Sequence, residues 1–323
     1  MSFSRVFGWE GERLDECLDE CFGWRFDECF GWRFDECSGV RSVRASKNRH
    51  LPEEEGAQAE QMVMYDAFST DYDRFVNWQN RLAFELPFIQ DRLDSLDGAL
   101  DRPLRVLDAA CGTGMHAIAL AQRGYRSAGA DLSAGMIEQA RENASRAAVE
   151  VSFEAAGFGE LAPTFSNRGL LPFDALLCLG NSLPHLLSAR ELQNALDDFA
   201  ACLRPGGLLL IQNRNFDTVM ASHSRWMEPQ AHREGEREWL FVRFYDFPEP
   251  ERIDFNILIL RRSGSGPWEQ EVITTSLRPL PLKELSAALA AAGFQSLNAF
   301  GDLGGTAFDP SSSGNLVLTA IKA

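Results

Sequence analysis

Two acids and two glycines set the chemistry available to this chain. Asp108 stands four residues before Gly112 in the run Val106-Leu-Asp-Ala-Ala-Cys-Gly-Thr-Gly114, and Asp131 closes the next short run, Arg126-Ser-Ala-Gly-Ala-Asp131. Glycines at 112 and 114 let backbone amides and a helix N-terminus approach a ligand closely. A carboxylate at 131 suits a ribose diol, which offers two hydroxyl donors to one group. The spacing is GxGxxA, with Ala117 where a dinucleotide fingerprint often carries its third glycine. Asp108 lies inside the turn, where an uncompensated carboxylate would repel a pyrophosphate. Beside a sulfonium ligand bearing an α-amino group the same charge is favourable. The residues therefore favour a cationic, amino-bearing nucleoside over NAD.

The elements that must position these groups follow from the hydrophobic pattern. Arg105 to Ala109 reads as a buried strand, and Met115 to Gln122 as an apolar helix. Arg126 to Asp131 is the second strand, and Ser133 is an N-cap for a helix over Ala134 to Ala144. Val151 to Phe158 gives the third strand and its exit. Phe173 to Gly180 is a fourth, continuously apolar as in a sheet covered on both faces. Leu192 to Leu203 reads as a helix, Arg204 to Gly207 as a turn, and Leu208 to Gln212 as the fifth strand, running into Asn213 to Asp217. Ligands of doubly wound sheets sit at the carboxyl ends of the strands. Asp108, Asp131, Gly157, Asn181 and Arg214 should then converge on one rim. Trp239–Phe247, Arg252–Leu260 and Trp268–Leu277 alternate with strand period and predict three antiparallel strands inserted after the fifth. Arg243 and Tyr245 face either the pocket or an exposed sheet surface.

Asp-x-x-x-Gly-x-Gly followed by an acid resembles the S-adenosylmethionine (SAM) site of class I methyltransferases. The pieces DAACGTG, CLGNSLPHL, LRPGGLLLI and NRNFD, in this order, resemble the glycine N-methyltransferase group of those enzymes over roughly residues 65–323. The resemblance implies an α/β fold: a doubly wound, Rossmann-like, seven-stranded and mostly parallel sheet, with a small antiparallel sheet inserted after the fifth strand. Strands Phe294–Phe300 and Asn315–Ile321, after a helix over Leu282–Ala292, fit its antiparallel finishing hairpin. It implies SAM as cofactor, contacted by Tyr72, Arg81, Asp108, Ala110, Gly112, Gly114, Asp131, Leu132, Gly157, Phe158 and Leu179. Many class I enzymes place an acid near the adenine where this chain has Gly157, so backbone groups of Gly157 and stacking on Phe158 are expected instead.

In the resembled group the arginine of the last motif binds the carboxylate of an amino-acid acceptor; the matching residue is Arg214. Asn181 falls near the acceptor, Tyr245 is a further substrate contact, and His185 or water takes the proton an ammonium acceptor must lose. The group's DHRNYD run reads Gln212-Asn-Arg-Asn-Phe-Asp217 here. The expected activity is methyl transfer to a small molecule, an amine or amino acid, by in-line displacement. O- or C-methylation of a small metabolite, or SAM binding without turnover, are the alternatives. Structural readings stand beside these: Arg214 paired with Asp217 or Asp246, and His185 as a helix-start residue. Phe75, Trp78, Leu82 and Leu86 recur at helical spacing and read as a core stripe, or Tyr72, Trp78 and Arg81 close over the cofactor with Arg81 on its carboxylate.

A chain of 323 residues with 45% hydrophobic content and no long apolar run has the composition of a globular protein without a membrane span. A net charge of −16 argues against nucleic acid or anionic lipid as the main partner. Cys111, Cys178 and Cys202 lie in core-like segments, which suits reduced thiols and a cytoplasmic location. Residues 1–60 differ: Phe22 to Cys29 is repeated without change as Phe30 to Cys37, and residues 41–60 are charged. Cys17, Cys21, Cys29 and Cys37 have no zinc-like spacing, so no metal is expected. The segment reads as a disordered, dispensable extension, with Met62 or Met64 a natural start for the functional part. The expected division is then a catalytic domain over 61–217 and 278–323, and an insertion over 218–277 that acts as a lid or mediates homo-oligomerisation.

Overall fold

The computed structural model describes residues 41–42, 71–97 and 102–323. The tandem repeat, its four cysteines and the candidate start methionines lie outside the described residues, as does most of the linker, of which Arg41–Ser42 form a two-residue strand.

Strands and helices alternate from Arg105 onward. The strands are β1 (Arg105–Asp108), β2 (Arg126–Asp131), β3 (Ser152–Ala155), β4 (Phe173–Cys178) and β5 (Leu203–Arg214), and the chain ends in β10 (Phe294–Phe300) and β11 (Asn315–Lys322). They hydrogen-bond in the order β10-β11-β5-β4-β1-β2-β3. The first five are mutually parallel, and β11 and β10 run antiparallel as a finishing hairpin. The chain leaves β1 toward β2 and β3 on one side and returns to β4 and β5 on the other. The crevice of the sheet thus opens between the carboxyl ends of β1 and β4.

Before β1 lies α1 (Trp78–Asp97); between strands lie α2 (Met115–Ala121), α3 (Ala134–Ala147), α4 (Leu161–Asn167) and α5 (Ala189–Cys202). After β5 come α6 (Phe216–Ser222) and, before β10, α7 (Leu282–Ala291). Strand alternation divides the core. Leu107, Leu176, Cys178, Leu209, Ile211 and Leu318 pack under α4, α5 and α7. Val106, Ala175, Leu177, Leu208, Leu210 and Val317 pack under α1 and α2. Both sheet faces are covered, which explains why the strands read as unbroken apolar runs.

Helix starts are fixed by side chains. Ser133 caps α3 by accepting from Met136 N at 3.1 Å, as expected, and Ser188 with Glu191 forms a capping box on α5. The N-terminus of α4 is capped from a distance: Asp198 of α5 accepts from the backbone amides of Gly159, Leu161 and Ala162 at 2.8–2.9 Å. That contact also fixes the loop carrying Gly157 and Phe158.

Two differences from the sequence reading stand out. The Arg204–Gly207 turn is a bulge within β5, because the strand pairs with β4 on both sides of it, at Leu203 and again from Leu208. The inserted sheet contains a strand that the pattern missed. Its strands are β6 (Gln230–Glu234), β7 (Arg237–Glu249), β8 (Arg252–Ser263) and β9 (Glu269–Leu277), paired antiparallel as β9-β8-β7-β6. Gln230–Glu234 is polar and mostly exposed, so it shows no apolar alternation. Trp239, Phe241, Ile257, Ile259 and Ile273 make a core with Tyr72 and Phe75, which precede α1. Among the described residues no helix is long and apolar enough to cross a membrane.

The foot of the sheet is held by one buried carboxylate. Asp174 of β4 is fully buried and accepts from Arg102 at 2.7 and 3.0 Å, Arg204 Nε at 2.7 Å and Arg105 N at 2.8 Å. Burial alone would raise its pKa, but these donors hold it below the ordinary carboxylate value. Both arginines remain partly exposed, so the network is worth less than a fully buried one. Asp174→Ala should cost about 2–3 kcal/mol in urea denaturation. The wild-type contribution should be complete above pH about 4 and be lost as pH falls through the lowered folded value, flattening the acid limb of the variant's stability curve.

Candidate active site

The glycine turn forms because its backbone is tied to both neighbouring strands. Ala109 N donates to Leu177 O at 2.8 Å, and Cys111 N to Ala130 O at 2.9 Å. Gly112 adopts φ +52° and Gly114 φ +79°, conformations that side chains disfavour. The two glycines do different work. Gly112 lines a cleft of about 830 Å³, counting the solvent at its mouth, with Tyr72, Ala110, Asp131, Leu132, Phe158, Leu179 and His185. A Cβ on Gly114 would instead lie 2.6 Å from Phe153 Cζ and 2.9 Å from Ala140 Cβ. Gly114 lets α2 pack on α3 and β3 and does not line the cleft. Ser133, Met136, Gly180, Ser182 and Leu186 complete the wall; three of them lie within CLGNSLPHL, but none of the five stands among the expected cofactor contacts.

Asp131 ends β2 at the cleft. One carboxylate oxygen accepts from Gly112 N at 2.9 Å and the other from Ser133 N at 3.0 Å. These bonds aim the group and bind the turn to the start of α3. Asp108 ends β1 behind the turn, at 2% exposure. Its Oδ1 is buried and has no hydrogen-bond partner among the described residues. Burial, reinforced by Asp131 and Glu85 and opposed by His116 and Arg81, raises its pKa to about 6. An orphaned buried carboxylate beside a glycine cradle fits a ligand that brings a cation, and a second acid on the cleft wall, Asp131, fits the hydroxyls of a nucleoside. The donor set suits SAM.

Residues 71–78 cross this site. Asp73 accepts from Thr113 Oγ1 at 2.6 Å, Trp78 Nε1 at 2.8 Å and Asn143 Nδ2 at 3.1 Å. One carboxylate thus fastens the segment to the glycine turn, to α1 and to α3. Tyr72 is placed over Gly112 as a result: a Cβ there would be 3.6 Å from the Tyr72 ring. Burial raises the Tyr72 pKa although Arg81 opposes it and hydrogen-bonds its hydroxyl, so the phenol is neutral. Arg81 reaches toward Gly180 and is held by Glu85 at 3.0 and 3.1 Å. Glu85 in turn meets His116 Nε2 at 2.6 Å. Burial would push Glu85 up, but His116 and Arg81 pull it below the usual carboxylate range.

On the other side of the crevice, Asn181 sits at φ +69° and its Oδ1 accepts from Arg214 N at 2.9 Å. The side chain assigned to the acceptor therefore grips the backbone of the arginine. Arg214 hydrogen-bonds the Tyr245 hydroxyl, and its Nε is buried without a partner among the described residues. The expected surface pairings are absent: Asp217 accepts from Leu282 N at 3.0 Å, and Asp246 is engaged by Arg225 and Asn256. Tyr245 is 3% exposed, on the inward face of β7. His185 lines the cleft, and burial lowers its pKa to about 4. It is neutral at pH 7 and a weak base for an ammonium proton. Gly157 contacts Leu132, and Phe158 packs edge-on against Phe199 at 5.3 Å. Cys111, Cys178 and Cys202 are buried free thiols whose pKa burial raises, so they carry no charge here.

Known proteins share this arrangement. The methyltransferase domain family matches residues 106–207, from β1 to the bulge of β5. The glycine/sarcosine N-methyltransferase of Parasynechococcus marenigrum (strain WH8102) is 30% identical over 75% of this chain and 79% of its own. That of Aphanothece halophytica is 28% identical over 73% of this chain and 82% of its own. A SAM-dependent methyltransferase from Clostridium acetobutylicum shares the fold, with a TM-score of 0.63 over 80% of this chain and 99% of its own, at 14% identity. With the glycine cradle, the acid-flanked turn and the strand order in agreement, the chain belongs to the family of SAM-dependent methyltransferases that includes the glycine/sarcosine N-methyltransferases.

Proposed function

We propose that this enzyme methylates the amine of a small, carboxylate-bearing acceptor, with Arg214 receiving the carboxylate. The observation that carries the reading is the Arg214 guanidinium at the carboxyl end of β5, oriented by Asn181 and Tyr245 and left without an acid partner among the described residues. The relatives' names point the same way.

SAM supplies an already activated methyl group when bound. The protein's contribution is binding, orientation and exclusion of water. Asp131 would take the ribose diol, Gly112 and Ala110 the close backbone approach, and Leu132, Gly157 and Phe158 the base. Asp108 would meet the α-amino group, and Arg81, braced by Glu85, the carboxylate of the same ligand. Tyr72 and Leu179 would cover the reacting end. Arg214, Tyr245 and the Asn181-held backbone would fix the acceptor so that its nitrogen lies in line with the methyl group, a positioning effect worth about 7–11 kcal/mol. The acceptor must arrive as the free amine. His185 is too weak a base to be a good proton acceptor, so water takes the proton and His185 serves as a neutral wall.

Four outcomes test this reading. Asp131→Ala should weaken SAM binding by about 1.5–3 kcal/mol per lost charged hydrogen bond; titration calorimetry that finds unchanged affinity rejects the ribose assignment. SAM affinity should also be pH-dependent through Asp108. The group is protonated below about 6 in the free protein, and pairing with an ammonium requires the ionised form. The dissociation constant should be flat above pH about 7 and rise toward about tenfold per unit well below 6. Asp108→Asn should abolish that slope, and a slope unchanged in Asp108→Asn assigns it elsewhere. Arg214→Ala should raise the acceptor KM by roughly tenfold or more, the loss of a charge-assisted contact, with SAM affinity nearly intact. Mass analysis of products from a panel of amino acids, amines and phenols reads both acceptor and linkage, and turnover confined to phenols would refute the proposal.

A further inference from the structure

Arg214 is accompanied by a second arginine that the methyl-transfer reading does not use. Arg243 occupies an inward position of β7, between Phe241 and Tyr245, which are 0% and 3% exposed. Its guanidinium lies over Phe75, 4.8 Å from the ring centroid, and the same ring meets Phe241 edge-on at 5.4 Å. The Nε atoms of Arg243 and Arg214 are both buried without a hydrogen-bond partner among the described residues. The carboxylates of the surrounding strands are committed elsewhere. Asp246 is engaged by Arg225 and Asn256, Asp254 by Arg252 and Ser276, and Asp71 by Arg74 and Arg261. Among the described residues neither Arg214 nor Arg243 belongs to an ion pair.

The Arg214 guanidinium acts on that of Arg243, and the two share a neighbour. Burial, and next the positive charge of Arg214, lower the Arg243 pKa, and both arginines act on the Tyr245 hydroxyl. Two half-buried like charges with buried Nε atoms and no counter-charge oppose folding unless a ligand brings the negative charge. In a chain with a net charge of −16, such a local excess of positive charge is not a consequence of composition. Stacking on Phe75 accounts for the face of the Arg243 guanidinium. It does not account for the unpartnered Nε or for the placement beside Arg214. Guanidinium forks match carboxylate and phosphate oxygens edge to edge, and a single carboxylate is satisfied by one fork.

We infer that Arg243 and Arg214 together receive a dianionic head group, so that the preferred acceptor is an amine carrying two carboxylates or one phosphate-like group. This rests on the reading that Arg214 faces the acceptor's anion, and it names a narrower substrate class.

The test is anion binding to the protein complexed with S-adenosylhomocysteine, titrated with acetate, succinate and inorganic phosphate at constant ionic strength and pH 8. Succinate or phosphate should bind at least about tenfold tighter than acetate, as one extra charge-assisted contact implies. The tighter of the two identifies the head group. Arg243→Gln should erase that margin and bring the dianion down to the acetate level, whereas Arg214→Gln should weaken all three anions. S-adenosylhomocysteine affinity and circular dichroism of each variant establish that it is folded, and Arg243→Lys, which keeps the charge and loses the fork, should retain part of the margin. Dianions binding no tighter than acetate, or a margin that survives Arg243→Gln, would overturn the inference while leaving the monocarboxylate reading in place. Failure of all three anions to bind would overturn both.

Discussion

The site depends on a carboxylate that the protein buries and does not neutralise. Asp108 ends β1, an interior strand of the sheet, and its Oδ1 has no partner among the described residues. Moving a carboxyl from its ordinary value of 3.8 to about 6 corresponds to about 3 kcal/mol at neutral pH. The sign is unfavourable for the unliganded fold: a folded-state pKa above the unfolded one removes stability as pH rises from about 4 to about 6. Arg81 and His116 lower that cost and do not remove it. A ligand that brings its own ammonium recovers it on binding. The cost is sustained by the cores on both sheet faces and by the Asp174 network at the opposite end of the same strands.

The rest of the donor end is organised by acids that reach across the chain. Asp73 joins Trp78, Thr113 and Asn143. Glu85 joins Arg81 to His116. Both come from the segment before β1, and both end on α2, α3 or the turn between β1 and α2. A carboxylate accepts several donors at once, so one acid can pin three elements where a hydroxyl could not. The arrangement also separates charge: Arg81 is braced by Glu85 and so presents a cation near Gly180 without exposing it to Asp108 alone.

The parts of this structure legible from sequence are those whose signal is local. The run from Val106 to Gly114 encodes its own strand, turn and helix start, and Asp131 closes a short strand that pairs with it. Arg105–Asp108 and Arg126–Asp131 are read almost to the residue because their interiors are buried and small or apolar, and Phe294–Phe300 because Gly293 and the end of α7 bound it. Gln230–Glu234 was missed because an exposed edge strand needs no apolar pattern. The Asp73 clamp is unreadable for another reason. Its contacts span 40 and 70 residues, and nothing about an aspartate in Asp71-Tyr-Asp73 marks it over its neighbour. Gly114 shows the reverse: the motif was evident, but its packing role appears only when Phe153 and Ala140 are in place. Asn181 was singled out as an asparagine at a strand end, yet only the fold shows that its oxygen holds Arg214 N.

The two ends of the site carry opposite charge, and Tyr72 stands where they meet. Asp131, Asp73 and Arg81 act on its hydroxyl from the donor side, and the same residue acts on Arg243 from the other. Its neutral ring therefore separates acids from arginines across a short distance, in surroundings where water would otherwise screen both. A polarity of this kind sorts a cationic ligand from an anionic one before any shape-specific contact is made. Tyr72 is held in this position by its neighbour Asp73, by the rings of Phe75 and Trp78 and by Arg81. The latch on the glycine turn thus bears on both sides of Tyr72, although Asp73 does not line the cleft. The glycine turn is continuous in sequence, whereas Arg214, Arg243 and Tyr245 are drawn from β5 and β7. Residues on β7 lie outside that turn and can change without altering it, which is a physical reason that one sheet can serve many ligands.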